Sequence, residues 1–193
     1  MRKIEFSVHP SLRDKPSSWA PAYGKNWQRK SGTLQDLRDH VGRGGAFIAA
    51  SMISNHRNSA AFDHSDLAVV DIDNGLTLED FKKHPLAPLA AWVYTSASHN
   101  PAKDKHRFRV IFQLPRQISD GELYKSITAL LIRSLGGDAS CSDLCRIYYG
   151  NSRASHPIWQ PKAELTDEFI QDAQKAAELQ KKTYLSQSAD VDE

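Results

Sequence analysis

Two stretches of the chain alternate apolar and charged positions. In Leu67–Asp73 (LAVVDID), a strand would place Ala68, Val70 and Ile72 on one face and Asp71 and Asp73 on the other. In Arg107–Leu114 (RFRVIFQL), Phe108, Val110 and Phe112 oppose Arg107 and Arg109. Shorter extended runs are Ile4–Val8, Ala46–Ala50, Ala91–Ser96 (AWVYTS) and Arg146–Tyr149 (RIYY). Helical spacing separates them. Thr33 caps a helix with Leu34, Leu37 and Val41 on one face, closed by Gly42 and Gly44. Thr77, with Asp80 three residues on, opens a short helix to Lys83. Ser119 and Glu122 form a second capping box before Leu123, Ile127, Leu130, Leu131 and Leu135, and Gly136–Gly137 ends that helix. Thr166 caps a last helix with Phe169, Ile170, Ala173, Ala176 and Ala177 as its stripe, ending near Lys181–Lys182. The rest of the first thirty residues reads as irregular chain.

From Leu67 onward the order is β-α-β-β-α-β, so the predicted fold class is α+β with a ferredoxin-like, RRM-like module. In that arrangement the first and third strands are central neighbours and the last lies beside the first. Both helices cover one face and the other is open. The organisation read from this is a small basic N-terminal α/β module (1–60), the RRM-like module (61–160), a C-terminal helix (161–185) and a disordered acidic tail (186–193).

Composition narrows the setting. The net charge is only +2, but residues 1–60 carry ten Lys or Arg against four Asp or Glu, and residues 102–153 nine against five. Such basic blocks suit a polyanionic partner, although a mixed solvated surface would look similar. The two cysteines, Cys141 and Cys145, are too few for a disulfide framework and lack companions for a structural zinc site. With no long apolar run and no secretory signal, the expectation is a cytoplasmic protein with no membrane partner.

The alternation brings two carboxylates and two guanidiniums onto a shared sheet face. Aspartates one pleat apart repel, and a divalent cation such as Mg²⁺ or Mn²⁺ would relieve the repulsion. Arginines suit phosphate through bidentate, permanently charged contacts. Metal beside triphosphate is equipment for phosphoryl or nucleotidyl transfer. The plainer reading is a lattice of Asp–Arg ion pairs on a solvated face. The segment GGDASCSDLCRIYYG offers a third acid, either Asp138 or Asp143, and Lys105 stands where it could reach a phosphate.

These motifs resemble those of the archaeo-eukaryotic primase superfamily, including primase-polymerases of plasmids, phages and mobile elements. VVDIDNG matches the strand-borne DxD, and KHRFRVIF stands where the family carries Ser-x-His or a basic variant. An aspartate eight residues before an arginine and a short strand is met by Asp138 and Arg146. The resemblance covers roughly residues 45–150. It implies a primase or DNA polymerase domain, a nucleotidyltransferase using two Mg²⁺ or Mn²⁺ ions. Asp71, Asp73 and Asp138 would be the catalytic ligands, with Asp143 in reserve. Arg107, Arg109, Lys105, Arg146 and His99 would attend an NTP or dNTP, and Arg57 the single-stranded DNA template. Ser96 and Ser98 would lie near the site. A helicase in cis or trans and a role in plasmid, phage or nucleoid replication belong to the same expectation.

Three alternatives stand beside it. A base-stacking RNA-recognition module would carry aromatics where Asp71 and Arg109 fall. A TOPRIM-type domain would need a glutamate between Glu5 and Asp71, and none is present. A replication-initiation or single-strand-binding module with little catalysis would share most of these features.

Overall fold

In chain order the elements are β1 (Lys3–Arg13), β2 (Gln28–Thr33), α1 (Leu34–Gly42), β3 (Gly45–Ile48), β4 (Ala50–Met52), β5 (Phe62–Ile72), α2 (Leu78–Lys83), β6 (Trp92–Thr95), β7 (Phe108–Ile118), α3 (Gly121–Leu135), β8 (Ile147–Tyr148), β9 (Ile158–Trp159) and α4 (Asp167–Ala189). The computed structural model describes residues 2–73 and 75–189, with side chains through residue 179. The strands form two antiparallel sheets, ordered β2-β1-β3-β8 and β4-β5-β7-β6-β9. Apolar residues of both belong to one core. Among the described residues no helix is long and apolar enough to cross a membrane.

Thr33 caps α1 by accepting from Asp36 N–H, and Thr77 caps α2 by accepting from Asp80 N–H. The cap of α3 falls one residue later than expected. Asp120, not Ser119, accepts from the N–H groups of Glu122 and Leu123. The buried stripe shifts to Tyr124, Ile127, Thr128, Leu131, Ile132 and Leu135, which leaves Leu123 and Leu130 half-buried. Thr166 caps α4, accepting from Phe169 N–H at 3.1 Å. That helix runs on to Ala189, past Lys181–Lys182, because no glycine or proline stops it there. Of the tail expected to be disordered, residues 190–193 lie outside the described residues.

The central trio β5-β7-β6 sits as a ferredoxin-like order requires, but the expected last strand does not. β8 pairs with Phe47 and Ile48 of β3 in the other sheet. The reason lies at Ala49, where one extended segment breaks. Its first half, β3, joins β1, and its second half, β4, takes the edge of β5 opposite Ser65, His64 and Phe62. β4 is short, so the edge of β5 beyond Ser65 still needs partners for its backbone groups. Tyr148 donates its hydroxyl to Val69 O at 3.0 Å, Asp138 N–H donates to Asp71 O at 2.9 Å, and Asp71 N–H faces Cys141 Sγ at 3.4 Å. A turn and a tyrosine close the edge in place of a ladder.

The second face of the sheet is not open either. Leu67, Ala68, Val69 and Val70 are all fully buried, as are Phe108, Val110, Ile111 and Phe112. A strand buried on both sides reads as a continuous apolar run, which is what LAVV is. Only where β5 ends, at Asp71 and Asp73, does the charged face meet solvent.

Candidate active site

Asp71, Arg109 and Tyr94 lie directly opposite one another across β5, β7 and β6. Arg109 is 6% exposed. Its Nη1 donates to Tyr149 O at 2.7 Å and to Tyr94 Oη at 3.2 Å, and its Nη2 donates to Asp71 Oδ2 at 3.3 Å. Burial opposes its charge, but Tyr94 and Asp71 outweigh burial and raise its pKa above the ordinary guanidinium value. Burial also pushes the Tyr94 hydroxyl up to about 12, with the Arg109 charge pulling the other way. Arg109 is therefore a fixed cation, locked under Asp71.

The pattern repeats twice. Arg107 Nη1 donates to Asp73 Oδ2 at 3.0 Å, with both side chains more accessible than the Arg109 pair. Arg146 Nη2 donates to Asp138 Oδ2 at 2.9 Å. Burial works to raise the Asp138 pKa, but hydrogen bonds from Ser140 and the charge of Arg146 hold it below the usual value. Asp138 reaches the site through a tightly specified turn. Gly136 closes α3 in the left-handed region at φ 64°. Gly137 then packs so closely on β5 that an added Cβ would lie 2.3 Å from Val70 Cγ1.

All six of these residues line one cavity of about 210 Å³, together with Lys15, Ser96, Ser98 and Tyr149. Asp143 does not line it. Its carboxylate is ion-paired with Arg57, whose Nε also donates to Cys145 O at 2.6 Å. Between the two acids left open by the sequence, Asp138 is the one beside Asp71 and Asp73. Lys105 is exposed, bridged through its backbone to Asn100, and is not among the lining residues. His99 lines an adjoining cavity of about 560 Å³ that shares Lys15 and Ser96 with the first. Its Nδ1 accepts from Arg107 N–H at 3.0 Å, while Ser96 N–H donates to Arg107 O at 3.0 Å. The turn after β6 thus holds the Arg107 backbone on both sides. Burial, and then the charge of His106, lowers the His99 pKa. Lys15, Tyr94 and Tyr149 were not foreseen. Lys15 belongs to a basic block without periodicity, and the tyrosines read as ordinary core.

The donor set is all hard oxygen, which fits Mg²⁺ or Mn²⁺ in kind. Among the described residues no three His, Cys, Asp or Glu side chains stand close enough to form a ready-made metal cage. Each carboxylate instead holds a guanidinium through one oxygen, so a cation would be taken by the lone pairs that the guanidinium leaves free or, at the more accessible Asp73, in its place.

No protein-family model matches the sequence, and no curated protein matches it significantly. Solved structures do match, and they share a class: the fold is that of archaeo-eukaryotic primase (AEP) domains. The resemblance read from the motifs is met at the level of fold. The AEP domain of the cyanophage S-2L primase-polymerase aligns over 88% of this chain and 87% of its own, with a TM-score of 0.50 and 11% identity. The catalytic domain of primase RepB′ in complex with initiator DNA aligns over 93% and 89%, with a TM-score of 0.50 and 14% identity. Primase RepB′ aligns with 99% of this chain but only 64% of its own length, with a TM-score of 0.51 and 14% identity.

Proposed function

We propose that this chain is the catalytic core of a primase-polymerase, a nucleotidyltransferase that joins NTPs or dNTPs along a single-stranded DNA template. The observation that carries the reading is convergence. Asp71, Asp73 and Asp138, from two separate segments, line one cavity with Arg107, Arg109 and Arg146, in a fold shared with primase catalytic domains. Two Mg²⁺ or Mn²⁺ ions held by the three aspartates would supply charge neutralisation and a more acidic attacking 3′-hydroxyl.

The protein's own groups divide the remaining work. Arg107, the more accessible of the strand arginines, turns from Asp73 to the incoming triphosphate, where its planar fork can engage two oxygens. Arg109 is held by three acceptors and does not turn. It fixes the orientation of Asp71 and places a permanent positive charge beneath the phosphates. Arg146 fixes Asp138 in the same way. Ser96 and Ser98 add hydroxyl donors to the lining of the cavity. His99 acts through the Arg107 backbone, Lys105 is an exposed cation outside the cavity lining that would reach a phosphate only from solvent, and Arg57 would attend the template.

The test is primer synthesis and extension on single-stranded DNA with NTPs or dNTPs in Mg²⁺ or Mn²⁺. Activity should vanish in the Asp71→Ala/Asp73→Ala double variant, and wild-type activity in that variant rejects the assignment. One observation favours a second reading, a replication-initiation or strand-binding module with little catalysis: each carboxylate is already neutralised by an arginine. That reading predicts strand binding indifferent to divalent ions and no extension under any of these conditions.

A further inference from the structure

Residues 14–27, between β1 and β2, are tied down at both ends. Asp14 N–H donates to Gly44 O at 2.7 Å, and its carboxylate accepts from Ser152 N–H at 3.1 Å. At the other end Trp27 is buried. Its N–H donates to Asn55 O at 3.0 Å, its indole N–H donates to Tyr23 O at 2.9 Å, and Arg57 N–H donates to Gly24 O at 2.7 Å. Asp14 and Asn26 take left-handed φ values of 49° and 64°, a conformation that aspartate and asparagine tolerate better than other non-glycine residues.

Between these anchors the loop presents Trp19. Its ring is 54% exposed and rests edge-on against Tyr23, with centroids 5.6 Å apart. Trp19 lines a cavity of about 290 Å³ with Lys15, Arg57, Arg146 and Tyr149, and this cavity shares the Asp71–Arg109 pair with the site described above. A single exposed tryptophan is ordinary on a protein surface. Here a second observation accompanies it. The Nε–H groups of Arg109 and Arg146 are buried without an acceptor, and both arginines line this cavity. Such an orphan donor costs roughly 1–3 kcal/mol, which marks this cationic wall as built for something other than stability. Lys15 has no ion pair among the described residues. A flat aromatic face beside several cationic donors fits a group with a π-face and anionic oxygens, which is a nucleotide within a strand.

We propose that Trp19 is the stacking platform for an unpaired base of the bound single strand, with Lys15 and Arg57 on its flanking phosphates. The placement of that strand as template rests on the polymerase reading, whereas the stacking contact itself requires no catalysis. This cavity adjoins the other through Lys15, Asp71, Arg109, Arg146 and Tyr149, but Arg107, Ser96 and Ser98 line only the other one, and this favours the strand over the incoming nucleotide as the occupant here.

The experiment is fluorescence anisotropy of a labelled oligodeoxynucleotide in chelator, with wild type, Trp19→Ala and Trp19→Phe. The alanine variant should bind roughly ten-fold or more weakly, and the phenylalanine variant should recover most of the loss. An oligonucleotide with abasic sites should bind wild type more weakly, with little further loss in Trp19→Ala. Equal affinity of wild type and Trp19→Ala overturns the proposal. So does a change confined to the KM for nucleotide in extension assays, which would assign the cavity to the incoming base. If the Asp71→Ala/Asp73→Ala enzyme still polymerises while Trp19→Ala loses DNA, the catalytic reading fails and the stacking platform stands.

Discussion

Replacing Gly137 by alanine tests how Asp138 is delivered to the site. The new Cβ would stand 2.3 Å from Val70 Cγ1 and 3.3 Å from Asp71 O. Carbon atoms in comfortable contact are about 3.5–4.0 Å apart, so something must give by more than about 1 Å. Val70 is fully buried on the central strand and β-branched, so it has little rotamer freedom to offer. The turn retreats instead, and it carries the Asp138 N–H away from Asp71 O, now 2.9 Å distant. Overpacking of this kind costs about 1–3 kcal/mol, and the lost hydrogen bond adds about 1 kcal/mol. Val70→Ala removes the opposing methyl and by itself costs about 2 kcal/mol in lost burial. The double variant should be more stable than the sum of the two losses by about 1 kcal/mol or more, with recovery incomplete because Asp71 O remains in the way. Urea unfolding followed by far-UV circular dichroism at a common m value measures all four corners of the cycle. Costs that add to within about 0.5 kcal/mol, or a Gly137→Ala protein as stable as wild type, would refute the close packing of this turn on β5.

Arg109→Met should destabilise the fold by about 3–5 kcal/mol, because it leaves the Asp71 carboxylate, Tyr149 O and Tyr94 Oη without their shared donor. Adding Asp71→Asn should restore part of that loss in the same unfolding assay. Asp138→Asn should lower primer extension by about a hundred-fold or more, whereas Asp143→Asn, which touches the Arg57 pair and the Cys145 N–H but does not line the cavity, should stay within roughly ten-fold per folded molecule. Steady-state extension rates distinguish the two. Stability should also fall as the solution is acidified. Burial, with smaller contributions from Arg13, Lys30 and Arg43, holds the His40 pKa below its ordinary 6.5, against the pull of its hydrogen bond to Ala46 O. The unfolded chain therefore binds that proton first, so the stabilisation is complete above about pH 6.5 and is lost as pH falls below it. Urea midpoints measured from about pH 7.5 to about pH 5 should drop more steeply in wild type than in His40→Gln, and equal slopes would count against it.

Much of the candidate site was legible because side-chain direction along a strand is a local property. Alternation alone put Asp71 with Asp73 and Arg107 with Arg109, and the β5–β7 register then set Asp71 opposite Arg109. The caps at Thr33, Thr77 and Thr166 were equally local, since each depends on a hydroxyl reaching a backbone N–H three residues away. β2 was not legible. QRKSGT is a mostly exposed edge strand with no apolar period to betray it.

Tertiary structure decided everything that depended on which distant segment satisfied a free edge or covered a face. The break at Ala49 sends one strand into two sheets, and no residue there announces it. The short reach of β4 leaves Val69 and Asp71 in need of partners, and that need draws Tyr148, Asp138 and Cys141 to β5 and leaves Asp143 to Arg57. Burial of the second sheet face, which turns an exposed array of charges into a small cavity with Arg109 at its floor, follows from the packing of that core. Local sequence specifies the direction of a side chain. Its neighbours are chosen by hydrogen-bond and burial demands that close over many residues, and those demands are met only in the folded chain.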